Sequence, residues 1–417
     1  MMALSRRAVV ATGLAMPFAA RGQGTARVVI VGGGFGGASA ACALRQYAPA
    51  LAVTLIEANA TFTACPFSNL VVAGVRAIDS QQFGYRGLTA AGIEVVHAES
   101  TGVDATSRRV TLSNGSVVSY DRLILSPGID FAWGALPGYD EAASVRMPHA
   151  WKAGAQTLLL RQQLEAMPDG GTVIMSVPPN PYRCPPGPYE RASLIAWYLR
   201  GAKPKSKLLV LDSKDVFSKQ KLFQAGWAAL YPGNLEWVSQ SNGGTVTGVD
   251  ASTLTFKTDF ATHKADVANV IPPQKAGRIA AIAGVADKTG WCPIDPVSFE
   301  SRLVPGIHVI GDAAIAGAMP KSAFAANAQA KVCALAVARL LEGSTPDEPI
   351  LVNTCYSLLA QGYGISVAGV YRPANGVLTE VPGSGGTSPL DATNDSRYQE
   401  AEYADAWFKT IAHEAFG

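Results

Sequence analysis

The sequence predicts an α/β protein built from two dinucleotide-binding, Rossmann-like domains and a C-terminal α+β interface domain. Its 417 residues exceed the roughly 250 to 300 residues at which a single hydrophobic core stops growing, so we expect two or three domains. Two buried-strand runs, residues 28–31 and 172–177, each lead through a turn into a helical pattern, as Rossmann units do. The net charge of +2 and the charged fraction of 16% argue against a nucleic-acid partner and against a disordered chain.

The first strand runs into a glycine-rich turn. Gly32, Gly34 and Gly37 fit the pattern G-x-G-x-x-G, a helix follows from about residue 38 to 47, and the next strand ends at Glu57, 20 residues beyond Gly37. Glycines here let the backbone approach a pyrophosphate at the positive N-terminus of the helix, and an acid in that place accepts from a ribose hydroxyl. The turn therefore predicts a dinucleotide site.

Two later turns favour FAD as the dinucleotide. The strand at residues 123–125 runs into a turn that contains Gly128, and the strand at 307–310 ends in Gly311 and Asp312. The second pattern resembles the signature by which flavoproteins with two dinucleotide domains hold the ribityl chain, with Asp312 as acceptor. Lys321 opens a long helix to about Leu341, whose positive end would face the flavin pyrimidine. The alternative for Lys321 is a solvated lysine of a first helical turn.

The second Rossmann unit has a proline-rich loop where a coenzyme-binding turn is expected. Residues 178–186 contain five prolines around Cys184, and a helix follows at about residues 189–199. Prolines lack the backbone N–H groups that cradle a pyrophosphate, so we expect no nicotinamide nucleotide there. The positive end of the following helix would lower the pKa of the Cys184 thiol.

Three segments carry a family resemblance: residues 183–192 (RCPPGPYERA), 353–357 (NTCYS) and 402–417. From residue 28 to the C-terminus the chain resembles the flavoprotein subunit of flavocytochrome c sulfide dehydrogenase, a sulfide:cytochrome c oxidoreductase. The resemblance implies that Cys184 and Cys355 form a redox-active disulfide beside the flavin. A structural disulfide is the alternative for this pair.

The same resemblance gives the remaining cysteines their expected roles. Residues 63–69 (TACPFSN) resemble the family motif for a thioether to the 8α-methyl of FAD, which implies covalent attachment through Cys65; a buried, inert thiol is the alternative. Cys42, Cys292 and Cys333 are expected to be free core thiols. The sequence has no Cys-x-x-Cys-His run, so we expect no haem in this chain, and it predicts no metal site.

The resemblance also implies a reaction and a partner. Hydrosulfide would open the disulfide, and electrons would leave to a separate c-type cytochrome subunit, giving a heterodimer. Glu190, in the first helical turn after the cysteine loop, is our own candidate for the proton acceptor. An exposed acid at a helix start is the alternative for Glu190. The aromatic C-terminal stretch with Tyr403, Trp407 and Phe408 is assigned no role.

Three rival functions share part of this pattern. A sulfide:quinone oxidoreductase has the same fold and cysteine chemistry but needs a surface that seats in a membrane. A flavoprotein of the periplasmic thiosulfate-oxidising system is the second rival. The third is a redox-inert flavin-binding accessory protein that only organises the cytochrome.

The N-terminal segment resembles a twin-arginine export signal. Arg6 and Arg7 precede an apolar run, residues 9–20, that is too short to span a bilayer, which takes roughly 20 residues. Such a signal over residues 1–23 implies a periplasmic protein. No later stretch in the sequence reads as an 18-residue apolar span, so we expect no integral membrane segment.

The predicted domain arrangement is that of glutathione reductase. Residues 24–139 and 275–345 form a discontinuous FAD-binding domain, and residues 140–274 form the second Rossmann-like domain, which lacks the coenzyme loop. Residues 346–417 form the C-terminal domain that returns Cys355 to the flavin.

Overall fold

The computed structural model of the chain describes residues 25–417. The predicted export signal, residues 1–23, lies outside this range.

The strands and helices follow one another along the chain in three groups. The first group is β1 (Arg27–Val31), α1 (Phe35–Tyr47), β2 (Ala52–Ile56), β3 (Phe62–Thr63), α2 (Ser68–Val72), β4 (Gln82–Phe83), α3 (Arg86–Ala90), β5 (Glu94–Val96), β6 (Ser100–Asp104), β7 (Arg109–Leu112), β8 (Val117–Ser119), β9 (Arg122–Leu125) and β10 (Ile129–Phe131). The second group is α4 (Ala155–Ala166), β11 (Thr172–Val177), α5 (Gly187–Ala202), β12 (Lys207–Asp212), α6 (Gln220–Leu230), β13 (Leu235–Val238), β14 (Val246–Asp250), β15 (Thr255–Thr258), β16 (Thr262–Lys264) and β17 (Val267–Val270). The third group is β18 (Gln274–Ala276), α7 (Ile279–Ile282), β19 (Cys292–Pro293), β20 (Ile307–Val309), β21 (Ala314–Ile315), α8 (Ala323–Leu341), β22 (Leu351–Ala360), β23 (Tyr363–Ala374), β24 (Val377–Glu380), β25 (Gly386–Thr387) and α9 (Asn394–Phe416).

Two parallel sheets form the frame of the molecule. The first has the strand order β20-β9-β1-β2-β5, and every neighbouring pair in it is parallel. The second has the order β13-β12-β11-β17 and is also parallel throughout. Parallel strands joined through helices are the hallmark of Rossmann units, so the predicted α/β fold class is confirmed.

The sheets fall within the predicted domain ranges. The first sheet takes β20 from far along the chain, which makes this unit discontinuous, as expected. β18 pairs with β10 and begins at Gln274, one residue before the predicted boundary. The domain boundaries themselves stay predictions.

α1 begins three residues before its predicted start near residue 38. The N–H of Ala38 already donates to the carbonyl of Gly34 at 2.9 Å, so the glycine turn passes directly into the helix. α1 packs against α8. The N-terminus of α1 therefore lies at the carboxyl end of β1, where Rossmann folds bind their ligands.

The C-terminal part is a long antiparallel hairpin covered by a helix. β22 pairs with β23, with Cys355 opposite Val367, and α9 packs against β23 and α1. Side chains along β22 alternate between two faces, and Asn353, Cys355 and Ser357 share the buried one. This alternation turns Cys355 toward the rest of the molecule.

One helix among residues 25–417, α8, is long and apolar enough to cross a membrane by length and composition. Its mean hydropathy is 1.2, and 56% of its residues are buried inside the protein. Core helices of globular proteins pass the same test, so this is weak support for a membrane span.

Candidate active site

One cavity is lined by residues from all three predicted domains. Its walls come from the turns at the carboxyl ends of β1, β9 and β20, from the proline-rich loop and the start of α5, and from β22 and α9. The lining residues that bear on the chemistry are Gly34, Cys65, Gly128, Trp151, Arg183, Cys184, Glu190, Asp312, Cys355 and Trp407. The cavity thus brings together seven predicted site residues; Gly32, Gly37, Glu57 and Lys321 do not line it.

The glycine turn keeps the backbone close to the cavity. Gly32 has φ +101°, and a Cβ there would lie 2.3 Å from the carbonyl oxygen of Ser126, while a Cβ on Gly37 would lie 1.8 Å from the carbonyl oxygen of Gly32. Both positions therefore require glycine to hold the turn against its neighbours. Gly34 caps α1 without a side-chain hydrogen bond, which leaves the first backbone N–H groups of the helix directed at the cavity.

Glu57 forms a hydrogen bond to the glycine turn. One carboxylate oxygen accepts from the backbone N–H of Gly33 at 2.7 Å, and the other accepts from the backbone N–H of Asn59 at 2.9 Å. Its predicted contact with a ribose hydroxyl stays a prediction.

Asp312 fits the expected ribityl acceptor. Among residues 25–417, its Oδ1 is buried and has no hydrogen-bond partner, whereas Oδ2 lies 3.8 Å from Nη1 of Arg183. A buried carboxylate oxygen without a donor is costly, and burial raises the pKa of this carboxyl group. A hydroxyl-bearing chain in the cavity would supply the missing donor, so the residues present fit FAD.

Lys321 lies just before the helix that it was expected to open. Lys321 lies before Ser322, which caps α8 by accepting from the N–H of Ala325, so it is outside the helix. Its ammonium donates to the carbonyls of Asp312 and Ala314 at 2.8 and 2.7 Å, and burial lowers its pKa to about 8. Buried carbonyls thus accept from its ammonium, and its predicted place beside the flavin stays a prediction.

Cys184 and Cys355 reach the cavity from two different segments, the proline-rich loop and β22. Cys184 has φ +57°, and its N–H donates to the carbonyl of Lys321 at 2.8 Å, which ties the proline-rich loop to the start of α8. Cys355 projects from β22, and its sulfur accepts from the side-chain amide of Asn353 at 3.3 Å. Every cysteine of the described chain is a free thiol, so the disulfide stays a prediction.

The expectation that α5 lowers the pKa of Cys184 is wrong. Burial raises the pKa of this thiol, and the charges of Cys355 and Glu190 raise it further, against the opposing effects of Lys219 and Arg183. The free-energy cost of removing water from a thiolate is larger than the stabilisation by the helix end, because the helix supplies only a partial charge.

Glu190 lies in the first turn of α5 and is part of the cavity wall rather than an exposed acid. Its two carboxylate oxygens accept from the side-chain amide of Asn69 and from the backbone N–H of Leu358, each at 2.8 Å. Burial raises the pKa of Glu190. A carboxylate with a raised pKa beside two cysteines is suited to take and return a proton.

Cys65 lines the same cavity, and the other three cysteines lie outside it. The Cys65 sulfur donates to the carbonyl of Trp151 at 3.7 Å, and its role as a flavin tether stays a prediction. Cys292 and Cys333 are buried and Cys42 is half-buried in α1, as expected of core thiols.

Sequence reasoning missed residues that hold the site together. Arg191 is fully buried and donates to Oδ1 of Asn69 at 2.9 Å and to the carbonyl of His149 at 2.8 Å. Trp407 faces the cavity and stacks on Phe324, with ring centroids 5.9 Å apart. Arg191 belongs to the segment that carries the family resemblance, which was an available signal.

The second Rossmann unit keeps an acid at the end of its second strand, as the first unit does. Asp212 is fully buried, and it accepts from the hydroxyl of Tyr189 at 2.6 Å and from the ammonium of Lys214 at 2.6 Å. The indole of Trp237 also donates to it, at 3.0 Å. Asp212 therefore has internal partners where Rossmann enzymes use the corresponding acid for a ribose.

No group of three or more His, Cys, Asp or Glu side chains suited to a metal occurs within the part of the chain that the structure describes.

Three family matches cover most of the chain. Residues 26–158 match the pyridine nucleotide-disulphide oxidoreductases. Residues 157–272 match the central part of the sulfide dehydrogenase (flavocytochrome c) flavoprotein chain. Residues 347–416 match the flavin-binding part of flavocytochrome c sulphide dehydrogenase. The flavin-binding match supports FAD as the cofactor.

Individual relatives agree with these matches. The chain is 60% identical over 48 residues, 12% of its own length and all of the relative, to the sulfide dehydrogenase (flavocytochrome c) flavoprotein chain of Chlorobaculum thiosulfatiphilum. It is 21% identical over 300 residues, 68% of its length and 65% of the relative, to the mitochondrial sulfide:quinone oxidoreductase of Mus musculus. The solved sulfide:quinone oxidoreductase of Aquifex aeolicus shares the fold, with a TM-score of 0.74, 18% identity, and coverage of 94% of this chain and 92% of that one. The chain therefore belongs to the family of flavocytochrome c sulfide dehydrogenase flavoprotein chains, which are sulfide-oxidising flavoproteins.

Proposed function

We propose that this protein oxidises hydrosulfide through a Cys184–Cys355 disulfide and FAD, and passes the electrons to a c-type cytochrome. The observation that carries the proposal is the convergence of Cys184, Cys355 and Glu190 on one cavity. Cys184 and Cys355 are 171 residues apart in the sequence (355 − 184) and come from different elements. A structural disulfide has no need of a cavity or of a buried acid beside it.

The sulfur chemistry follows thiol–disulfide exchange. Hydrosulfide attacks one sulfur of the disulfide, so that a new S–S bond forms in a cysteine persulfide and the other cysteine leaves as a thiolate. A second hydrosulfide attacks the outer persulfide sulfur, which releases a hydrogen disulfide ion and returns the first cysteine as a thiol. Re-forming the disulfide from one thiol and one thiolate gives up two electrons and one proton.

Glu190 is the proposed acceptor of that proton. It lines the cavity with both cysteines, and the amide of Asn69 and the N–H of Leu358 hold its carboxylate in place. The raised pKa of Glu190 makes its carboxylate a stronger base than an exposed glutamate.

The flavin site uses residues already placed at the cavity. Gly34, Gly128 and Asp312 would hold FAD, and Cys65 would form the thioether to its 8α-methyl. When bound, FAD supplies a two-electron acceptor that can also release electrons singly. A covalent bond through Cys65 would prevent loss of the cofactor between turnovers.

The proposed electron acceptor is a c-type cytochrome subunit, which the name of the Chlorobaculum relative supports. A quinone is the second candidate, because sulfide:quinone oxidoreductases are among the relatives in sequence and in fold. Anaerobic reoxidation of the sulfide-reduced protein by cytochrome c and by a soluble quinone, measured side by side, separates the two. Reoxidation by the quinone alone would contradict the cytochrome assignment.

We place the protein in the periplasm, exported by the twin-arginine route. The support is the Arg6–Arg7 pair ahead of a short apolar run. Replacing Arg6 and Arg7 by lysine should leave the protein in the cytoplasmic fraction. Recovery of the double variant from the periplasm at the normal level would contradict this route.

The function is tested by sulfide titration of the purified flavoprotein without oxygen. Cys184→Ser and Cys355→Ser should each abolish the rapid bleaching of the flavin absorbance by sulfide, because either change removes the disulfide. Cys42→Ser is the matched control, since Cys42 lies in α1 outside the cavity, and this variant should bleach at the normal rate. Bleaching of the Cys184→Ser variant at the normal rate would defeat the proposal.

A further inference from the structure

Lys219 is a buried lysine directly behind the cysteine pair. It precedes α6 in a left-handed conformation with φ 62°, and it is only 8% exposed. Its ammonium donates to the carbonyl of Cys355 and to the hydroxyl of Ser357, each at 2.8 Å. The lysine therefore contacts the strand that carries one of the two cysteines.

The hydrogen-bond partners of this ammonium carry no formal charge. None of the ion pairs found within residues 25–417 includes Lys219. A buried ammonium bonded only to neutral oxygens is unfavourable, and burial lowers the pKa of Lys219 to about 8. The groups that oppose this shift are Cys355, Glu190, Cys184 and Glu400, which come from β22, α5, the proline-rich loop and α9.

The two cysteines differ in their surroundings. Cys355 is buried, its sulfur accepts from the amide of Asn353, and its carbonyl accepts from Lys219. Cys184 is the less buried residue of the two. The carboxylate of Glu190 raises the pKa of Cys184, and the charge of Lys219 lowers it. The direct contacts of Asn353 and Lys219 therefore fall on the Cys355 side of the pair.

We propose that Lys219 is a positioning residue whose charge stabilises the thiolate of Cys355 when hydrosulfide opens the disulfide at Cys184. This rests on the proposed function. In that step a bond forms between the hydrosulfide sulfur and the Cys184 sulfur, the Cys184–Cys355 bond breaks, and its electron pair leaves on Cys355. One anion is consumed and one is formed, so no further reactant is needed. A stabilised leaving thiolate departs faster, and Lys219 and Asn353 act on that sulfur.

The alternative is that Lys219 only ties β22 to α6 through its two hydrogen bonds. Lys219→Gln separates the roles, because glutamine keeps a hydrogen-bond donor and loses the charge. Lys219→Arg is the matched control, since it keeps the charge. All three proteins are compared as the flavin-loaded full chain.

The readout is the equilibrium constant between the cysteine pair and a dithiothreitol couple at pH 7, with thiols trapped by iodoacetamide and counted by mass spectrometry. An opposite charge near an ionised group shifts the pKa of that group by about one to three units. Loss of the Lys219 charge should therefore destabilise the thiolate of the reduced pair, and Lys219→Gln should shift the constant toward the disulfide by about tenfold or more. Lys219→Arg should stay within about threefold of the unaltered protein. The difference between the unaltered protein and Lys219→Gln should shrink above about pH 8, where Lys219 loses its proton.

The possible outcomes separate this inference from the function on which it rests. If sulfide still bleaches the flavin of Lys219→Gln but the equilibrium constant with dithiothreitol is unchanged, only the role of Lys219 is overturned. A lowered melting temperature with an unchanged constant shows a purely structural lysine and overturns it as well. A protein in which Cys184 and Cys355 never form a disulfide refutes the proposed function and this inference together. If Lys219→Gln does not fold, Lys219→Met removes the charge and the hydrogen bonds together but fills the buried site with an apolar chain. An unchanged constant in Lys219→Met also overturns the role of Lys219.

Discussion

Protonation of His149 should destabilise the folded protein in mild acid. His149 is 6% exposed, its ring packs on Phe131 with centroids 4.3 Å apart, and its Nδ1 accepts from the N–H of Trp151 at 2.9 Å. Burial, together with the charge of Arg191, lowers the pKa of His149 to about 3. A proton on Nδ1 would break the hydrogen bond to Trp151, which lines the cavity.

The size of the effect follows from the two pKa values. In the unfolded chain His149 titrates near 6.5 and in the folded protein near 3, so between these values only the unfolded chain binds the proton. Above pH 6.5 His149 is neutral in both states and does not lower the free energy of unfolding. As the pH falls from 6.5 toward 3, proton binding to the unfolded chain lowers that free energy. The loss is about 1.4 kcal/mol per pH unit, or about 2 kcal/mol between pH 6.5 and 5.0.

The test compares the unaltered protein with His149→Asn, which keeps a hydrogen-bond acceptor and cannot titrate. Equilibrium urea unfolding at pH 7.5 and 5.0, followed by circular dichroism, gives the free energy of unfolding of each. Between pH 7.5 and 5.0 the free energy of unfolding of the unaltered protein should fall by about 2 kcal/mol more than that of the variant. His308, whose pKa burial lowers to about 4, acts with the same sign in both proteins and cancels. Equal losses within about 0.5 kcal/mol would refute the assignment of a buried, neutral His149.

Two further predictions concern the flavin site. Asp312→Ala, made in a Cys65→Ser background so that no covalent bond can mask the change, should weaken FAD binding about tenfold to a hundredfold, because a hydrogen bond to a charged group contributes about 1.5–3 kcal/mol. Titration of the apoprotein with FAD measures this, and a change below twofold would contradict the acceptor role of Asp312. Gly37→Ala should yield protein with little flavin, because its Cβ would lie 1.8 Å from the carbonyl oxygen of Gly32. The control Gly84→Ala, where nothing lies within 4 Å, should keep the normal ratio of flavin to protein absorbance, and equal flavin content in both variants would show that the turn tolerates a side chain.

Features that depend on neighbours in the sequence were predictable. The strand before Gly32 and the glycine turn follow from a short run of apolar residues and glycines, because a turn of this shape admits no side chain. The helix after the turn was also expected, although α1 begins three residues earlier. The same holds for the strand before the proline-rich loop, residues 172–177, which has the bounds expected for it. The family motifs around Cys65, Cys184 and Cys355 indicated which residues to look for at the site.

Other features depend on contacts between distant parts of the chain, and no local pattern encodes them. Lys321 was expected in the first turn of a helix, but it precedes that helix, and its ammonium donates to the carbonyls of Asp312 and Ala314. The pKa of Cys184 was expected to fall near a helix end, but burial raised it, and burial is set by everything that packs around a residue. Lys219 carried no sequence signal at all.

By itself the sequence determined the fold class, the glycine turn and the family, because each rests on a short pattern whose chemistry is complete within a few residues. Only the tertiary structure decided how the cysteines, Glu190 and Lys219 meet. Their separation in sequence is bridged by the packing of the hairpin, α5 and α6 against one another. The charge balance of the site follows from that packing, because the energy of a buried charge depends on distances that only the folded chain has.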